Sequence, residues 1–459
     1  MKNQRFTFWL AALLSAGLLA AALDAALPLP VSAPGDSPQA LTLERCIELG
    51  LTYSKSLYAS QLGVQAAEAR AAEAVTRLLP SLSFQGAYTR LSSVPPSEVE
   101  VNIPPLEPIK FVLSPTILNS GSLQLVLQQP LFTGFGLEAA ARAARAAARS
   151  AKQSFVRDRE ALVIDITSAY WTLVQAREMA KLLDENVQTI QAHLEDVRRF
   201  VEQGLAKNND LLKVQVQLAT SKVGQLEAAN GVRLAMMALN SLLGLPLDQE
   251  IDPVSRPEAA ARREGAAPAE AAVAQALARR PEMKAIAETI SAARSGVRAA
   301  QSSRFPKVFL VGNVVVANPN ERIWPVQAEF RSTWDVSLAV SFDLWNWRAS
   351  TYQVRQALAQ LEQARAGEAQ LRDGIALEVR KSQFDLQQAL QKIDLAEEAV
   401  RQAEENYRVT HERFKAGLTP NSELLDAEMF LLQAKVSRTE AHIGHEMAVA
   451  RLHRSLGSE

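Results

Sequence analysis

The sequence contains two copies of one unit, and this duplication limits the possible folds more than any other feature. The segments Arg199–Leu212 and Arg413–Leu425 share Arg-Phe, then Gly-Leu, then an acidic residue followed by Leu-Leu. The same order and nearly the same spacing relate Leu243-Gly244 to Leu456-Gly457. The two halves of the chain must therefore adopt similar structures, with loops absorbing the differences in length.

The repeats set the predicted domain boundaries. We predict a first repeat over 41–245, a linker over 246–267 that is rich in proline, alanine and arginine, and a second repeat over 268–458. Residues 1–33 are predicted to be a signal peptide, because a short basic region precedes the apolar stretch Phe6–Ala22 and small residues follow it. The cleavage site stays open. No other stretch is apolar for long enough to predict a membrane-spanning helix.

Each repeat is predicted to run helix, strand, strand, long helix, turn, helix. In the first strand of the first repeat, Leu82, Phe84 and Tyr88 alternate with polar residues, and in the second repeat Val336 and Leu338 do the same. A period of two indicates strands with one apolar and one polar face. The first repeat also carries a proline-rich loop between its two strands, which explains its greater length.

A helix of unusual length follows the strands. Residues 137–203 contain neither proline nor glycine, which at 1.5 Å per residue predicts a helix of roughly 100 Å. Apolar and small residues recur along it at alternating steps of three and four, which is typical of a coiled-coil seam. The predicted seam residues are Leu173, Ala176, Ala180, Leu183, Val187, Ile190 and Leu194, and in the second repeat Leu386, Ala389, Ile393, Ala396, Val400, Ala403 and Tyr407.

Two-faced strands and very long helices together favour an oligomer. In lipid, unpaired strand edges are costly, so strands that cross a bilayer must close into a barrel. Four strands in one chain are too few for a barrel of about eight or more strands. Several chains would have to contribute strands. The alternative, a soluble sandwich with both apolar faces buried, is disfavoured because the long helices would have no second layer to cover.

The sequence resembles the outer-membrane efflux protein (TolC-like) family over residues 41–457. The resemblance rests on the two Arg-Phe, Gly-Leu, acidic-Leu-Leu turns, the strand end Gln129–Gly134, the signal peptide and the duplication. It implies a mainly helical fold with a membrane β-barrel part: a tandem-repeat protomer of a trimeric 12-stranded β-barrel joined to a long α-helical coiled-coil barrel. It implies an exit duct for efflux or type I secretion.

The resemblance also implies partners and functional residues. The expected partners are two further copies of the chain, a periplasmic adaptor (membrane fusion protein), an inner-membrane transporter and outer-membrane lipid. The resemblance assigns roles to two groups of residues by their positions in the sequence. Carboxylates would ring a periplasmic aperture, and turn residues would contact the adaptor. The aperture residues are Asp210, Glu423 and Asp426, and the tip residues are Gly204, Leu205, Gly417 and Leu418. Capping of a helix N-terminus is the alternative role for Asp210 and Glu423.

The sequence departs from the family pattern at two positions. Asp343 stands where proline is common at the second strand end, and Thr419 stands where a basic residue can help to lock the closed state. Both departures concern details of gating and leave the barrel prediction unchanged.

The remaining features give no sign of an enzyme, a cofactor or a metal site. The 49 basic and 50 acidic residues balance, which argues against a nucleic-acid partner. His442 and His445 have a spacing that could bind metal, but exposed helix polarity is the commoner reason for it. The single cysteine, Cys46, is predicted to be a buried apolar side chain. A basic stripe that begins at Arg142 fits either lipid phosphates or a solvated helix face.

A second function stays open at the level of sequence. A periplasmic coiled-coil adaptor of an export system would also have a signal peptide and long helical hairpins, although a full-length duplication is not expected there. The sequence does not identify the transported cargo.

Overall fold

The computed structural model describes residues 39–102, 104, 108–114, 116–254 and 268–457. The predicted signal peptide and residues 255–267 of the predicted linker lie outside these ranges. Within the described ranges, no helix is both long enough and apolar enough to cross a membrane.

The first repeat begins with a short strand and two helices and ends with two long helices. The elements are β1 (Gln39–Leu41), α1 (Leu43–Tyr53), α2 (Lys55–Thr76), β2 (Ser81–Arg90), β3 (Ser97–Val101), β4 (Ile109–Ser114), β5 (Asn119–Phe132), α3 (Gly136–Glu202) and α4 (Asn208–Leu243). The 67-residue helix α3 agrees with the predicted 137–203 to within a residue, and the 36-residue helix α4 follows the turn as predicted. The strands β3 and β4 pair within the proline-rich segment, where only a loop was predicted.

The strand β6 (Ile251–Pro253) lies in the predicted linker, and the second repeat then follows the same order as the first. Its elements are α5 (Ala269–Arg279), α6 (Pro281–Gln301), β7 (Lys307–Asn318), β8 (Arg331–Ser341), α7 (Ala349–Lys415) and α8 (Asn421–Leu456), with a short 3-10 turn at Ser302–Arg304. Helices α7 and α8 have 67 and 36 residues, the same lengths as α3 and α4. The helices are equally long because the sequence motifs at their ends have the same spacing in both repeats.

The helix before the strands is broken in both repeats, whereas the pattern predicted one helix. In the second repeat Arg280 adopts an extended conformation because Pro281 disfavours helical geometry in the residue before it. In the first repeat Ser54 is extended at the matching place, with Lys55 after it. The break therefore belongs to the fold, and only the second repeat signals it with a proline.

Four strands form one antiparallel sheet in the order β2-β5-β7-β8. The pairing places Phe84 opposite Leu125, Leu125 opposite Val314, and Val314 opposite Trp334. This row of side chains shows that the apolar positions of all four strands share one face. Phe84 is 62% exposed and Trp334 is 75% exposed, so the apolar face is bare in the isolated chain.

The opposite face of the sheet is polar. Gln124 donates a hydrogen bond to Asn313 (3.3 Å), and Asn313 donates to Asp335 (2.9 Å). Arg322 forms an ion pair with Asp335 at 2.7 Å. These contacts cross three strands, so the sheet has the predicted combination of one apolar and one hydrogen-bonding face.

The chain folds as two compact units, each of which draws on both repeats. One unit consists of the described residues of Met1–Ala59, Arg159–Glu264 and Asp385–Arg451, and the other of the described residues of Ser60–Asp158, Gly265–Phe384 and Leu452–Glu459. The first unit will be called the tip unit because it contains both turns at Gly204 and Gly417, and the second will be called the sheet unit.

The tip unit is held together by the predicted seam. Ile190 and Leu194 of α3 are buried against Val214 of α4, Phe414 of α7 and Leu424 of α8. A further cluster in the same unit joins the seam positions of α7 to α8 and consists of Ile393, Ala396 and Ala441. Four of these residues, Ile190, Leu194, Ile393 and Ala396, are predicted seam positions, whereas the others were not predicted.

A small parallel pair of strands, β1 and β6, also lies in the tip unit. Tyr170 of α3 donates a hydrogen bond to the carbonyl oxygen of Leu41 at 3.2 Å. Arg177 donates to the carbonyl oxygen of Ile251 at 2.5 Å and pairs with Asp252. Residues 251–253 of the predicted linker therefore form an ordered strand that is bound to α3.

In the sheet unit, the short helices of the second repeat pack on α7. Ala272 and Ala276 of α5 meet Ile375 and Val379 in one buried cluster. Ile290 and Val297 of α6 meet Leu361 in another. Small residues on α5 allow close approach of the two helices, as the alanine-rich composition of this stretch would suggest.

Cys46 is completely buried in α1, as expected. Burial raises the pKa of its thiol to about 12, with a further contribution from the negative charge of Glu44. Since only the thiolate reacts, roughly one thiol in ten thousand is reactive at pH 8.

We therefore expect Cys46 of the native protein to resist maleimide at pH 8 and to react fully in denaturant. The double variant Cys46→Ser with Leu418→Cys supplies an exposed thiol as a reference. Native labelling of Cys46 at the rate of that reference would contradict its buried position.

Candidate functional site

Two tight turns end the long helices, and they are built alike. Gly204 and Gly417 both have φ of +71°, a left-handed conformation that glycine adopts without strain. The N–H of Leu205 donates to the carbonyl of Phe200 (2.7 Å), and that of Leu418 donates to the carbonyl of Arg413 (2.9 Å). These bonds satisfy carbonyl groups that the ends of the helices would otherwise leave unpaired.

Each turn presents a bare leucine. Leu205 is 73% exposed and Leu418 is 70% exposed. A Cβ atom added to Gly204 or Gly417 would meet nothing within 4 Å, so the surface around both turns is open. Each turn thus places one apolar side chain in solvent in the isolated chain.

Asp210 has a clear local role. Its carboxylate accepts a hydrogen bond from the backbone N–H of Lys207 at 3.4 Å, at the start of α4. Its other oxygen lies 3.9 Å from the Nζ atom of Lys213. The side chain therefore acts as a helix cap in the isolated chain.

Glu423 and Asp426 lie on the first turns of α8 but differ in their contacts. Glu423 accepts a hydrogen bond from the hydroxyl of Thr419 at 2.8 Å. Asp426 is exposed and lines a groove of about 450 Å³ between α4 and α8, opposite Asn209 and Lys213. Thr419, which departs from the family pattern, thus holds a predicted aperture residue in place.

The two turns are tied together by one buried side chain that the sequence reasoning did not single out. Asn421 is 5% exposed, and its amide donates to the carbonyl oxygen of Asp210 at 3.3 Å. The structure therefore brings the first turns of α4 and α8 together, with Asp426 beside α4. A polar residue at the first position of α8, directly after Pro420, was the available signal for such a contact.

A buried ionisable pair joins α3 to α8, and the sequence did not predict it either. His193 of α3 and Glu428 of α8 are 4% and 5% exposed, and the Nδ1 atom of His193 is 3.2 Å from a carboxylate oxygen of Glu428. Nearby, burial raises the pKa of Tyr407, and the negative charges of Glu428 and Asp196 raise it further. No sequence motif marks this pair, since its members are contributed by different repeats.

The other candidate features of the sequence have structural explanations or no ligand geometry. His445 bonds Glu446, its neighbour on α8, at 3.3 Å. Within the described residues, no group of three or more potential ligands is arranged to hold a metal ion. In the basic stripe, Arg149 pairs with Glu288 at 2.8 Å and Lys152 with Glu68 at 2.6 Å. Two of its cations therefore bind neighbouring helices.

Aromatic residues cluster where the sheet meets the long helices. Phe132 and Phe135 pack edge to face, with ring centres 5.3 Å apart, and so do Trp345 and Trp347, at 5.7 Å. Trp345 is 75% exposed and Trp347 is 82% exposed. Exposed aromatic rings at the ends of strands fit the headgroup region of a bilayer.

Comparison with known proteins identifies relatives along almost the whole chain. A family described as outer membrane efflux protein matches residues 47–245 and 272–458. Outer membrane efflux protein BepC of Brucella suis is 22% identical over 332 residues, which cover 72% of this chain and 70% of that protein. Alkaline protease secretion protein AprF of Pseudomonas aeruginosa is 24% identical over 342 residues, covering 72% and 68%.

The fold also matches solved structures. The outer membrane protein VceC of Vibrio cholerae superimposes with a TM-score of 0.74 at 19% identity, covering 91% of this chain and 96% of that one. The two matched segments of the family correspond to the two repeats derived from the sequence. The chain is therefore a member of the outer membrane efflux protein family.

Proposed function

We propose that three copies of this chain form a passive exit duct in the outer membrane, which serves a tripartite efflux or type I secretion system and opens at its periplasmic end. The observation that carries the proposal is the bare apolar face of the four-stranded sheet, backed by a polar face. Water would disfavour such a surface on a monomer. In a bilayer the same face contacts lipid while the polar face lines a wet lumen.

The sheet supports three-fold assembly. Its outer strands, β2 and β8, each have one neighbour in the described part of the chain. Pairing β2 of one copy with β8 of the next closes a barrel, and three copies of four strands give twelve. A soluble coiled-coil adaptor, the alternative function, has no use for a sheet with an exposed apolar face.

Different residues are assigned to the adaptor-contacting tips and to the aperture. The turns with Gly204, Leu205, Gly417 and Leu418 present open, partly apolar surface to a periplasmic adaptor, which joins the duct to an inner-membrane transporter. Asp210, Glu423 and Asp426 ring the aperture. Three-fold symmetry would bring like carboxylates together and make the aperture favour cations.

Conductance tests both the duct and the aperture. Purified protein in planar bilayers should form cation-selective channels that are closed most of the time. The double variant Glu423→Ala with Asp426→Ala should increase the leak current and reduce cation selectivity, because it removes up to six negative charges from the trimer. Recordings at low salt should show the largest change, since salt screens exposed charges.

Glu404→Ala is the matched control, because Glu404 is an exposed acid on α7 in the same unit. Its currents should equal those of the wild type. Equal currents in the aperture variant and this control would overturn the aperture assignment but leave the duct intact. Absence of any conductance, with the protein recovered in the soluble periplasm, would overturn the duct itself.

A further inference from the structure

Arginine is concentrated in the parts of the sheet unit that lie next to the sheet. Four segments join the strands β2, β5, β7 and β8 to their helices, namely 70–80, 133–146, 293–306 and 342–355. Together they contain nine arginines, no lysine and three acidic residues. The nine will be called the arginine collar. The next segments along the same helices hold five basic and six acidic residues, and they are 60–69, 147–158, 281–292 and 356–370. The excess of positive charge is therefore confined to one short level of the sheet unit.

All four segments meet at one edge of the sheet. The register pairs Ser81, the first residue of β2, with Gln128 near the end of β5, and the end of β5 lies beside the start of β7. Lys307, the first residue of β7, lies opposite Ser341, the last residue of β8. At the other edge, the described residues between β2 and β5 and between β7 and β8 contain two basic and four acidic residues. The positive charge thus belongs to a single edge.

The arginines of the collar are all exposed, and almost none is paired. Within the described residues, Arg77 is the one collar arginine with an ion pair, to Glu73 at 2.8 Å. Arg355 lies over the ring of Tyr352, 5.8 Å from the ring centre. The collar therefore presents guanidinium groups to whatever surrounds this level of the protein.

The arginines lie on one side of their helices. Arg142 and Arg145 are three residues apart and share a face of α3. Arg294 and Arg298 are four residues apart and share a face of α6. The opposite faces of the same turns carry small uncharged residues, which are Ala140, Ala144 and Ala147 on α3 and Ala292, Gly296 and Ala299 on α6. A ring of arginines inside the proposed duct would repel the cations that the proposed aperture attracts, so the charged faces belong outside.

The junction of the second repeat holds two exposed residues in an unfavourable conformation. Trp347 and Arg348 have φ of +50° and +64°. The offset of 213 residues between Gly204 and Gly417 relates them to Gly134 and Phe135, where the turn uses a glycine. The turn itself therefore does not require a tryptophan, and packing does not either, since Trp347 is 82% exposed. Strained residues of this kind are common at functional sites, which indicates a contact outside the chain.

The collar lies at the depth expected for lipid phosphates. The exposed rings of Trp345 and Trp347 fit the headgroup region, which is about 5–8 Å thick on each side of a bilayer. Arg142 lies six residues after the start of α3, roughly 9 Å along the helix, and Arg298 three residues before the end of α6, roughly 5 Å. Long arginine side chains reach back towards the headgroups. The guanidinium is always charged and binds phosphate oxygens through two parallel hydrogen bonds.

We propose that the arginine collar binds the phosphate groups of anionic phospholipids in the inner leaflet of the outer membrane. This proposal rests on the proposed function, since it requires the sheet to lie in that membrane. The collar then surrounds the duct with anionic lipid at the level where the strands become helices, and it fixes the depth of the duct in the bilayer.

Quenching of tryptophan fluorescence tests the collar. Bromine atoms on acyl chains quench nearby indole rings, so a lipid that gathers around the protein quenches Trp345 and Trp347 more than its share of the bilayer predicts. The purified trimer is reconstituted in phosphatidylcholine vesicles with an equal minor fraction of brominated phosphatidylglycerol or brominated phosphatidylcholine. The wild type should prefer phosphatidylglycerol at least about threefold at low salt, because one basic side chain at a membrane surface raises the affinity for anionic lipid about fivefold. High salt should reduce the preference.

The collar variant combines Arg142→Gln, Arg145→Gln and Arg298→Gln. It should at least halve the preference for phosphatidylglycerol, because it removes nine positive charges from the trimer. Replacing the same three residues by lysine keeps the charge and should keep most of the preference.

A matched control removes the same charge from the tip unit. It combines Lys222→Gln, Arg233→Gln and Lys392→Gln, which replace three exposed basic residues of α4 and α7. Its preference for phosphatidylglycerol should equal that of the wild type. An equal preference in the collar variant and in this control, or no preference in the wild type, would overturn the collar.

Ion selectivity in planar bilayers gives a second readout. The collar variant should have the reversal potential of the wild type, because its arginines face lipid. A shift towards cations with an unchanged lipid preference would show that the arginines line the lumen, and would overturn the collar. The channels would still conduct in that case, so the proposed function would stand. Protein that neither inserts nor conducts would overturn both. Circular dichroism and the trimer's mobility confirm that each variant is folded.

Discussion

Replacement of Arg280 by alanine is expected to lower the free energy of unfolding of the sheet unit by about 3–5 kcal/mol, the usual result of removing one partner from a buried ion pair. The side chain of Arg280 is 6% exposed and binds Glu282 at 3.0 Å and Glu378 at 2.7 Å. Without the guanidinium, the carboxylate of Glu282, whose side chain is 16% exposed, loses its hydrogen-bond donor Arg280, and Arg454 is the remaining positive charge that acts on it.

The pKa values of the pair agree with this expectation. Burial disfavours the charge on Arg280, but hydrogen bonds to Glu282 and Glu378 outweigh burial and raise its pKa. Burial alone would raise the pKa of Glu282, but the hydrogen bond from Arg280, a backbone hydrogen bond and the positive charges of Arg280 and Arg454 together outweigh burial and lower it. A carboxylate with a lowered pKa in the folded state stabilises the protein above its ordinary pKa, and that stability is lost as the pH falls through the folded value.

Urea unfolding of the detergent-solubilised protein at pH 7 and at pH 3.5 measures the effect. Arg280→Ala should shift the midpoint strongly at pH 7 and less at pH 3.5, where the wild type has itself lost part of the contribution of Glu282. Arg279→Ala is the control, since it removes the same charge from an exposed neighbouring position. Equal midpoints for the two variants at pH 7 would refute the stabilising role of the buried pair.

Replacement of Gly244 by alanine is the other change with a large expected effect, about 3 kcal/mol. Gly244 ends α4 with a φ of +73°, a conformation that costs an L-residue about 1–2 kcal/mol. An added Cβ would also lie 2.5 Å from the carbonyl oxygen of Tyr53. Backbone cannot yield as a flexible side chain can, so crowding adds about 1–3 kcal/mol.

Gly204→Ala separates the two contributions. Gly204 has nearly the same φ, but its added Cβ would meet no atom within 4 Å. Its substitution should cost only the conformational part. Thermal unfolding monitored by circular dichroism should place Gly244→Ala well below Gly204→Ala. The same melting temperature for both variants would show that Tyr53 moves aside and that the close approach does not constrain the fold.

The sequence predicted the long elements well because their signals are local and repeated. Helices α3 and α7 have no proline in their interiors and carry the predicted heptad seam, and the ends of α3 fall within one residue of the predicted 137–203. The faces of the strands were predicted by strict alternation. The duplication gave each signal twice. It could also have predicted the helix break at Ser54, which has no local signal, because Pro281 marks the same break in the second repeat.

The parts that were missed depend on contacts between distant segments. Strands β1 and β6 have three residues each, too few for a pattern, and they exist because α3 binds them through Tyr170 and Arg177. The pairing of β3 with β4 was not predicted, because the prolines of this segment indicated a loop. At the candidate site, Asn421 and the His193–Glu428 pair were missed because each is defined by a partner more than two hundred residues away.

The two free outer strands of the sheet have a consequence for biogenesis. In the proposed trimeric duct, a single newly exported subunit cannot complete its membrane segment, since β2 and β8 have no second partner strand in the described part of the chain and their backbone groups would face hydrocarbon. Insertion and association must then be one concerted event, and its rate should rise steeply with the supply of subunits. At low expression, incomplete subunits would wait in the periplasm, exposed to proteases and dependent on chaperones.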